Sequence, residues 1–230
     1  MDRENNKPKL KTSEELYGPA ITKAVEELQN LDPRQVALKS GAEYLETVST
    51  MGQIKLAFFG QDYLIHVPQC TVEKVDTKQA ADKDQEIIVI TRILLLHYLL
   101  NADGTPLAQS WATLSQFPGG QSYESVLKIR GSQPLDQAFA TNVDAFIAAA
   151  EAMGGERLSL GDASFSFDIL PRLRLAPVLY VADEEFPSSV DILFDAAAGN
   201  YLPTYDLTIV AAILAEKLTK KRGNWRDTPY

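Results

Sequence analysis

The stretch Gly161–Asp206, GDASFSFDILPRLRLAPVLYVADEEFPSSVDILFDAAAGNYLPTYD, decides the fold. It contains three short runs of strand-forming residues, an acidic loop, and a proline that opens a helix. Within each run, residues of one parity are apolar, the two-residue period of a strand with one buried face. The spacing predicts strands over about 163–169, 173–181 and 189–195. Phe165, Phe167 and Ile169 face the core in this reading. Leu173, Leu175 and Leu179 share a parity, as do Val190, Ile192 and Phe194. The opposite parity gathers Asp168, Arg172, Arg174, Asp191 and Asp195 on one sheet face. Such a face is either a polar cleft in which arginines hold an anion or a carboxylate, or a solvated surface with charges paired across strands. Pro177 lacks an N–H and predicts an edge strand or a bulge at its position.

Downstream, Pro203 opens a helix to about Lys220. Upstream, the run from about Gln85 to Leu100 is apolar on nearly all its faces and predicts a central buried helix, with Asp82 or Asp84 as its cap. Helical signals run from Ser13, a cap, through Leu16, Ile21, Ala24, Val25 and Leu28, either unbroken or split by Gly18–Pro19 into a turn and a helix at Pro19–Gln29. A second helix is expected at Pro33–Gly41, capped by Asp32. Two more are expected at about Tyr123–Arg130 and Leu135–Met153. IKLAFFG and DYLIHVP flank Gly60–Gln61 as a hairpin, and Trp111–Phe117 suggests a short strand. The expected architecture is one α+β domain over residues 13–222, an antiparallel sheet covered by helices. Polar tails at 1–12 and 223–230 flank it.

The 230 residues are 45% hydrophobic, enough to remove about 70% of the extended-chain surface from water. The net charge of −9 argues against nucleic acid, whose binding rests on a basic face, and against an anionic membrane surface. The one basic cluster, Lys217, Lys220, Lys221, Arg222 and Arg226, suits a helix C-terminus. A single cysteine, Cys70, leaves no intramolecular disulfide and no protein-held iron–sulfur cluster, and it reads as a packed small residue. MDRENNKPKLK has no apolar core, and no run reaches the ~20 apolar residues of a membrane span. These features point to a cytoplasmic protein.

Chemistry-bearing motifs are sparse. Neither G-x-G-x-x-G nor G-x-x-x-x-G-K-[ST] occurs, and there is no G-x-S-x-G elbow. With only His66 and His97, a three-histidine zinc centre is excluded. His97 sits in the apolar helix, as a core imidazole or as a ligand or base. Asp183, Glu184 and Glu185 form an acidic turn without the spaced oxygens of a calcium loop. Trp111, Phe117, Gly119, Gly120 and Tyr123 surround a glycine turn that either covers a flat ligand or is pinned to the core by its rings. Tyr201, Tyr205 and Asp206 flank the last helix start, where Asp206 complements the dipole.

The 161–206 block, together with HYLLNADGTPLAQSW and FPGGQSY between His97 and Tyr123, resembles the DUF3786 family, a domain of unknown function. The resemblance extends over about residues 90–215. It implies a setting in anaerobic bacteria and archaea, where some relatives carry an added Cys-rich iron–sulfur module of the corrinoid-protein type. One cysteine cannot hold such a cluster, so any tie to corrinoid or one-carbon metabolism would run through a partner or a directly bound cofactor. The resemblance brings no catalytic residues.

The expected function is therefore a ligand- or partner-binding accessory protein, with a corrinoid or similar large cofactor as one ligand. Its candidate binding residues are His97, Trp111, Phe117, Gly119, Gly120, Tyr123, Asp162, Asp168, Arg172, Arg174, Asp195 and Tyr201. The alternatives are an enzyme using His97 or the carboxylates of Asp162, Asp168, Asp183 and Asp195 with the two arginines, and a purely structural subunit.

Overall fold

The computed structural model describes residues 13–46, 52–75 and 85–221. The expected tails and the Asp82 or Asp84 cap lie outside the described residues.

Helix α1 (Ser13–Leu28) runs unbroken through Pro19 and buries Ile21, Ala24 and Leu28. Helix α2 (Pro33–Ser40) begins as its sequence dictates. Asp32 accepts the Arg34 N–H at 3.0 Å, Pro33 fills the first helical position, and Gly41 closes the end at φ 71°. Strands β1 (Glu43–Leu45), β2 (Gln53–Phe58), β3 (Gln61–His66) and β4 (Thr71–Lys74) make an antiparallel meander. The β2–β3 turn is Phe59–Gly60, one residue earlier than expected. Both residues have positive φ, 49° and 73°, which suits the twist of a two-residue hairpin.

Helix α3 (Gln85–Asn101) is the central helix. It buries Ile90, Ile93, Leu94, Leu95, Tyr98 and Leu99 and packs on α1 and α2. After β5 (Trp111–Ala112) come two 3-10 turns (Leu114–Gln116 and Gly120–Tyr123), the second running without a break into α4 (Glu124–Leu127), a π-helical turn (Lys128–Ser132) and α5 (Gln133–Phe139). The long helix expected from Leu135 to Met153 is two helices, because Asn142 accepts the Ala145 N–H at 2.9 Å and starts α6 (Val143–Ala152) afresh.

The 161–206 block forms β7 (Ala163–Leu170), β8 (Leu173–Tyr180), β9 (Ser189–Asp195) and α7 (Thr204–Thr219), with β6 (Glu156–Leu158) just before it. The second sheet has the order β5-β9-β8-β7-β6, antiparallel throughout. The α+β class is as expected, and its antiparallel pairing is divided between two sheets. Phe59 N–H donates to Ile169 O at 2.9 Å and ties the sheets together. Buried residues of both sheets and of α1, α2, α3, α5, α6 and α7 form one continuous cluster.

Two strand-level expectations change. Pro177 lies in β8, between β9 and β7, so it is not on an edge. Pairing with β7 lapses opposite Phe165–Ser166 and resumes at Phe167–Leu175, because proline offers no ladder donor. The register shift falls at Asp168/Leu170 instead. The second sheet face is also less polar than its parity suggested, since Ser164, Ser166, Ala176 and Val178 are all buried.

Candidate functional site: a groove at an open strand edge

Three of the predicted residues converge on the connection from Ala102 to Ser110. The Asp195 carboxylate is buried and accepts three backbone N–H groups, from Ala108 at 2.9 Å, Gln109 at 3.0 Å and Ala197 at 2.9 Å. The Arg172 guanidinium donates to Gly104 O, and the Tyr201 hydroxyl donates to Thr105 O. Asn200 Nδ2 donates to Thr105 Oγ1 at 2.9 Å. Tyr98 stacks on Tyr201, with ring centroids 5.4 Å apart. Its hydroxyl donates to Ser40 O at 2.7 Å and accepts the Arg172 N–H at 3.0 Å. Burial pushes both phenols above their ordinary range, and the nearby Arg172 partly opposes this. With their polar atoms committed to the chain itself, Asp195, Arg172 and Tyr201 act as a frame for this loop.

The aromatic–glycine stretch is pinned to the core by its rings. Phe117 is buried edge-on against Phe194, with centroids 5.9 Å apart, and it lies over Gly199. Thr204 Oγ1 donates to Pro118 O at 2.8 Å, and Tyr123 meets Tyr205 at 5.7 Å. Gly120 approaches the Leu114 carbonyl so closely that a Cβ would sit 1.8 Å from its oxygen. Gly119 takes φ 71°, and Trp111 is half-buried on β5.

The remaining charges are separate. Arg174 Nε lies 2.5 Å from Asp168 Oδ1 across β7–β8, with Glu156 at 3.9 Å, which is a cross-strand pair. Asp162 Oδ2 accepts the Val181 N–H at 2.7 Å. Asp183 closes its own turn by accepting the Glu185 and Phe186 N–H groups, which hold its carboxyl below the usual carboxylate range. Buried Cys70 has its thiol pushed up by desolvation, and His66 bridges Gln53 and Glu73 on the meander. Among the described residues, no group of three or more His, Cys, Asp or Glu could hold a metal ion, and no helix is long and apolar enough to cross a membrane.

His97 does have a specific partner. Its Nδ1 is 2.5 Å from Oδ2 of the buried Asp206, which joins α3 to the first turn of α7. The sequence reading gave Asp206 to the helix dipole alone. No local signal marks a contact spanning 109 positions.

Sequence reasoning missed a groove of about 320 Å³ between β9 and the α4–π–α5 segment. Its origin is local. Strand β5 pairs Trp111 with Asp195 and Ala112 with Phe194, then stops, because Gln116 Oε1 accepts the Thr113 N–H at 2.8 Å and turns the chain away. The space beside β9 that a longer β5 would fill stays open. Val190, Ile192 and Leu193 form one wall of it, and Leu127, Ser132 and Gln133 line the other. The π-turn approaches β9 through Gly131, where a Cβ would be 2.7 Å from Ile192 Cδ1. Glu124, Lys128, Asp136 and Asp191 also line the groove, and Asp136 Oδ1 is buried without a hydrogen-bond partner. The legible signals were the Thr113-x-x-Gln116 box and Gly131.

Fold and site define a two-sheet α+β protein with a helix-walled groove beside a prematurely ended edge strand. The family model for a domain of unknown function, DUF3786, matches residues 32–217, and the chain belongs to that family. Neither a curated protein nor a solved structure gives a match.

Proposed function

We propose that this protein is a binding accessory protein and that the groove beside β9 is its binding site. The observation that carries this reading is a groove of about 320 Å³ beside a strand edge left uncovered by β5, with the Asp136 carboxylate in its lining. A ligand that donates to the Asp136 carboxylate at the groove surface gains a charge-assisted hydrogen bond. Elsewhere the strongly placed polar groups, Asp195, Arg172, Tyr201 and Asp183, bond to the chain's own backbone.

The proposed setting is cytoplasmic, and the family resemblance implies an anaerobe and a link to corrinoid or one-carbon metabolism that would act through a partner or a directly bound cofactor. It joins this reading through a partner. The groove, with a strand edge on one side and a helical segment on the other, suits a side chain or short segment of a partner. Catalysis is the second reading, and the His97–Asp206 pair is the observation in its favour, since a buried carboxylate orients an imidazole as it does in catalytic dyads.

The test compares wild-type protein with Gln133→Trp, a rim substitution that fills the groove. Both are purified anaerobically from the native host and examined by native mass spectrometry and absorbance. Wild type is expected to carry a ligand or partner that the variant lacks. Equal occupancy in both, or none in either, contradicts the reading.

A further inference from the structure

The edge that β5 leaves open has a definite hydrogen-bonding phase. Ala196 N–H donates to Ser110 O at 2.9 Å, and Phe194 pairs with Ala112 two residues earlier. Alternation along an antiparallel ladder then directs the N–H and C=O groups of Ile192 and Val190 away from β8 and into the groove. Those of Leu193 and Asp191 point toward β8, where they meet Ala176 and Val178. The uncovered edge, Ser189–Leu193, is roughly 16 Å long at strand rise. It is recessed, with the α4–π–α5 segment standing over it. An extended segment seated there would add one strand to the sheet.

The groove is also charged. Glu124, Asp136 and Asp191 place three carboxylates around it against the single ammonium of Lys128. Asp136 is half-buried in the groove wall, between the helical segment and the β9 edge.

We infer that the groove's occupant is an extended segment of a partner protein. It adds to the β9 edge as a short strand through Val190 and Ile192 and carries a lysine or arginine whose side chain donates to Asp136. This rests on the groove being the binding site and deepens that reading. The backbone edge supplies affinity without sequence preference, and Asp136 supplies the selection for a basic side chain.

The test uses a positional-scanning library of fluorescent decapeptides with Lys, Arg, Glu or Leu fixed at the centre. Binding to the full chain is read by anisotropy, and amide exchange at residues 189–193 is read alongside. The Lys and Arg pools are expected to bind roughly tenfold more tightly than the Glu and Leu pools. They should slow exchange at Val190 and Ile192 and lose their advantage against Asp136→Asn, while N-methylation at alternate backbone positions should abolish binding. Equal binding of all four pools, or binding indifferent to N-methylation, overturns the inference. If no pool binds while host-purified wild type carries a small molecule that Gln133→Trp lacks, the groove is a binding site and the peptide assignment is wrong. If neither binds anything, both readings fail.

Discussion

His97 on α3 and Asp206 at the start of α7 face each other across 2.5 Å, so the central helix is bonded to the last helix. Asp206 is buried and His97 largely so. Removing one partner leaves the other desolvated and unpaired. His97→Leu and Asp206→Leu are each expected to cost about 3 kcal/mol. The double variant is expected to cost clearly less than the sum, with a coupling of about 1–2 kcal/mol by urea denaturation. Additive losses would show that the two side chains do not depend on each other.

Asp195 is expected to matter through the loop it organises. Asp195→Ala orphans three backbone N–H groups and should cost about 3 kcal/mol. Amide exchange at Ala108 and Gln109 should accelerate far more than exchange in α3. A uniform acceleration would mean that the carboxylate supports the whole fold equally.

The two adjacent glycines of the aromatic loop are expected to respond differently. A Cβ on Gly120 collides with the Leu114 backbone oxygen, so Gly120→Ala should cost about 3 kcal/mol or more. Gly119 faces open space at φ 71°, so Gly119→Ala should cost only about 1–2 kcal/mol, the left-handed penalty, and Gly119→Asn less. Thermal melts of the three variants decide this, and the account fails if Gly119→Ala is the worst of them.

Alkaline pH tests the burial of Tyr98 and Tyr201. Both phenols hold their protons more tightly in the folded chain. Their contribution to stability is complete below the unfolded phenol pKa of about 10 and is lost as pH rises through the raised folded values. The urea midpoint should fall above about pH 10, and Tyr98→Phe should flatten that dependence. Spectrophotometric titration should show a late phenol ionisation that Tyr98→Phe diminishes. If all ionise together near pH 10, the two rings are not buried as described.

The legible parts of the fold were those written in local periodicity. Phe165, Phe167 and Ile169 alternate as strands do, the apolar run through Leu94 and Leu95 marked α3, and Asp32–Pro33 with Gly41 bounded α2. The meander was only half visible. Strand β1 has three residues, and β4 is a mostly exposed Thr-Val-Glu-Lys run with no hydrophobic signal. Parity placed Asp168 and Arg174 as neighbours, because a cross-strand pair follows from register. It could not reveal that Asp195 turns inward to three backbone donors 86 to 87 positions upstream and two downstream. The groove was hidden because it arises where a strand stops, and its wall is a π-turn held against Ile192 by the small size of Gly131.

Hydrogen exchange across β9 tests the central claim most directly, measured on the isolated protein and again after incubation in cytosol from its own host. The account predicts that exchange at Val190 and Ile192 slows in cytosol, that Gln133→Trp abolishes the slowing, and that the β7–β8 ladder is unchanged in both. Exchange along β9 that is identical with and without cytosol would contradict it.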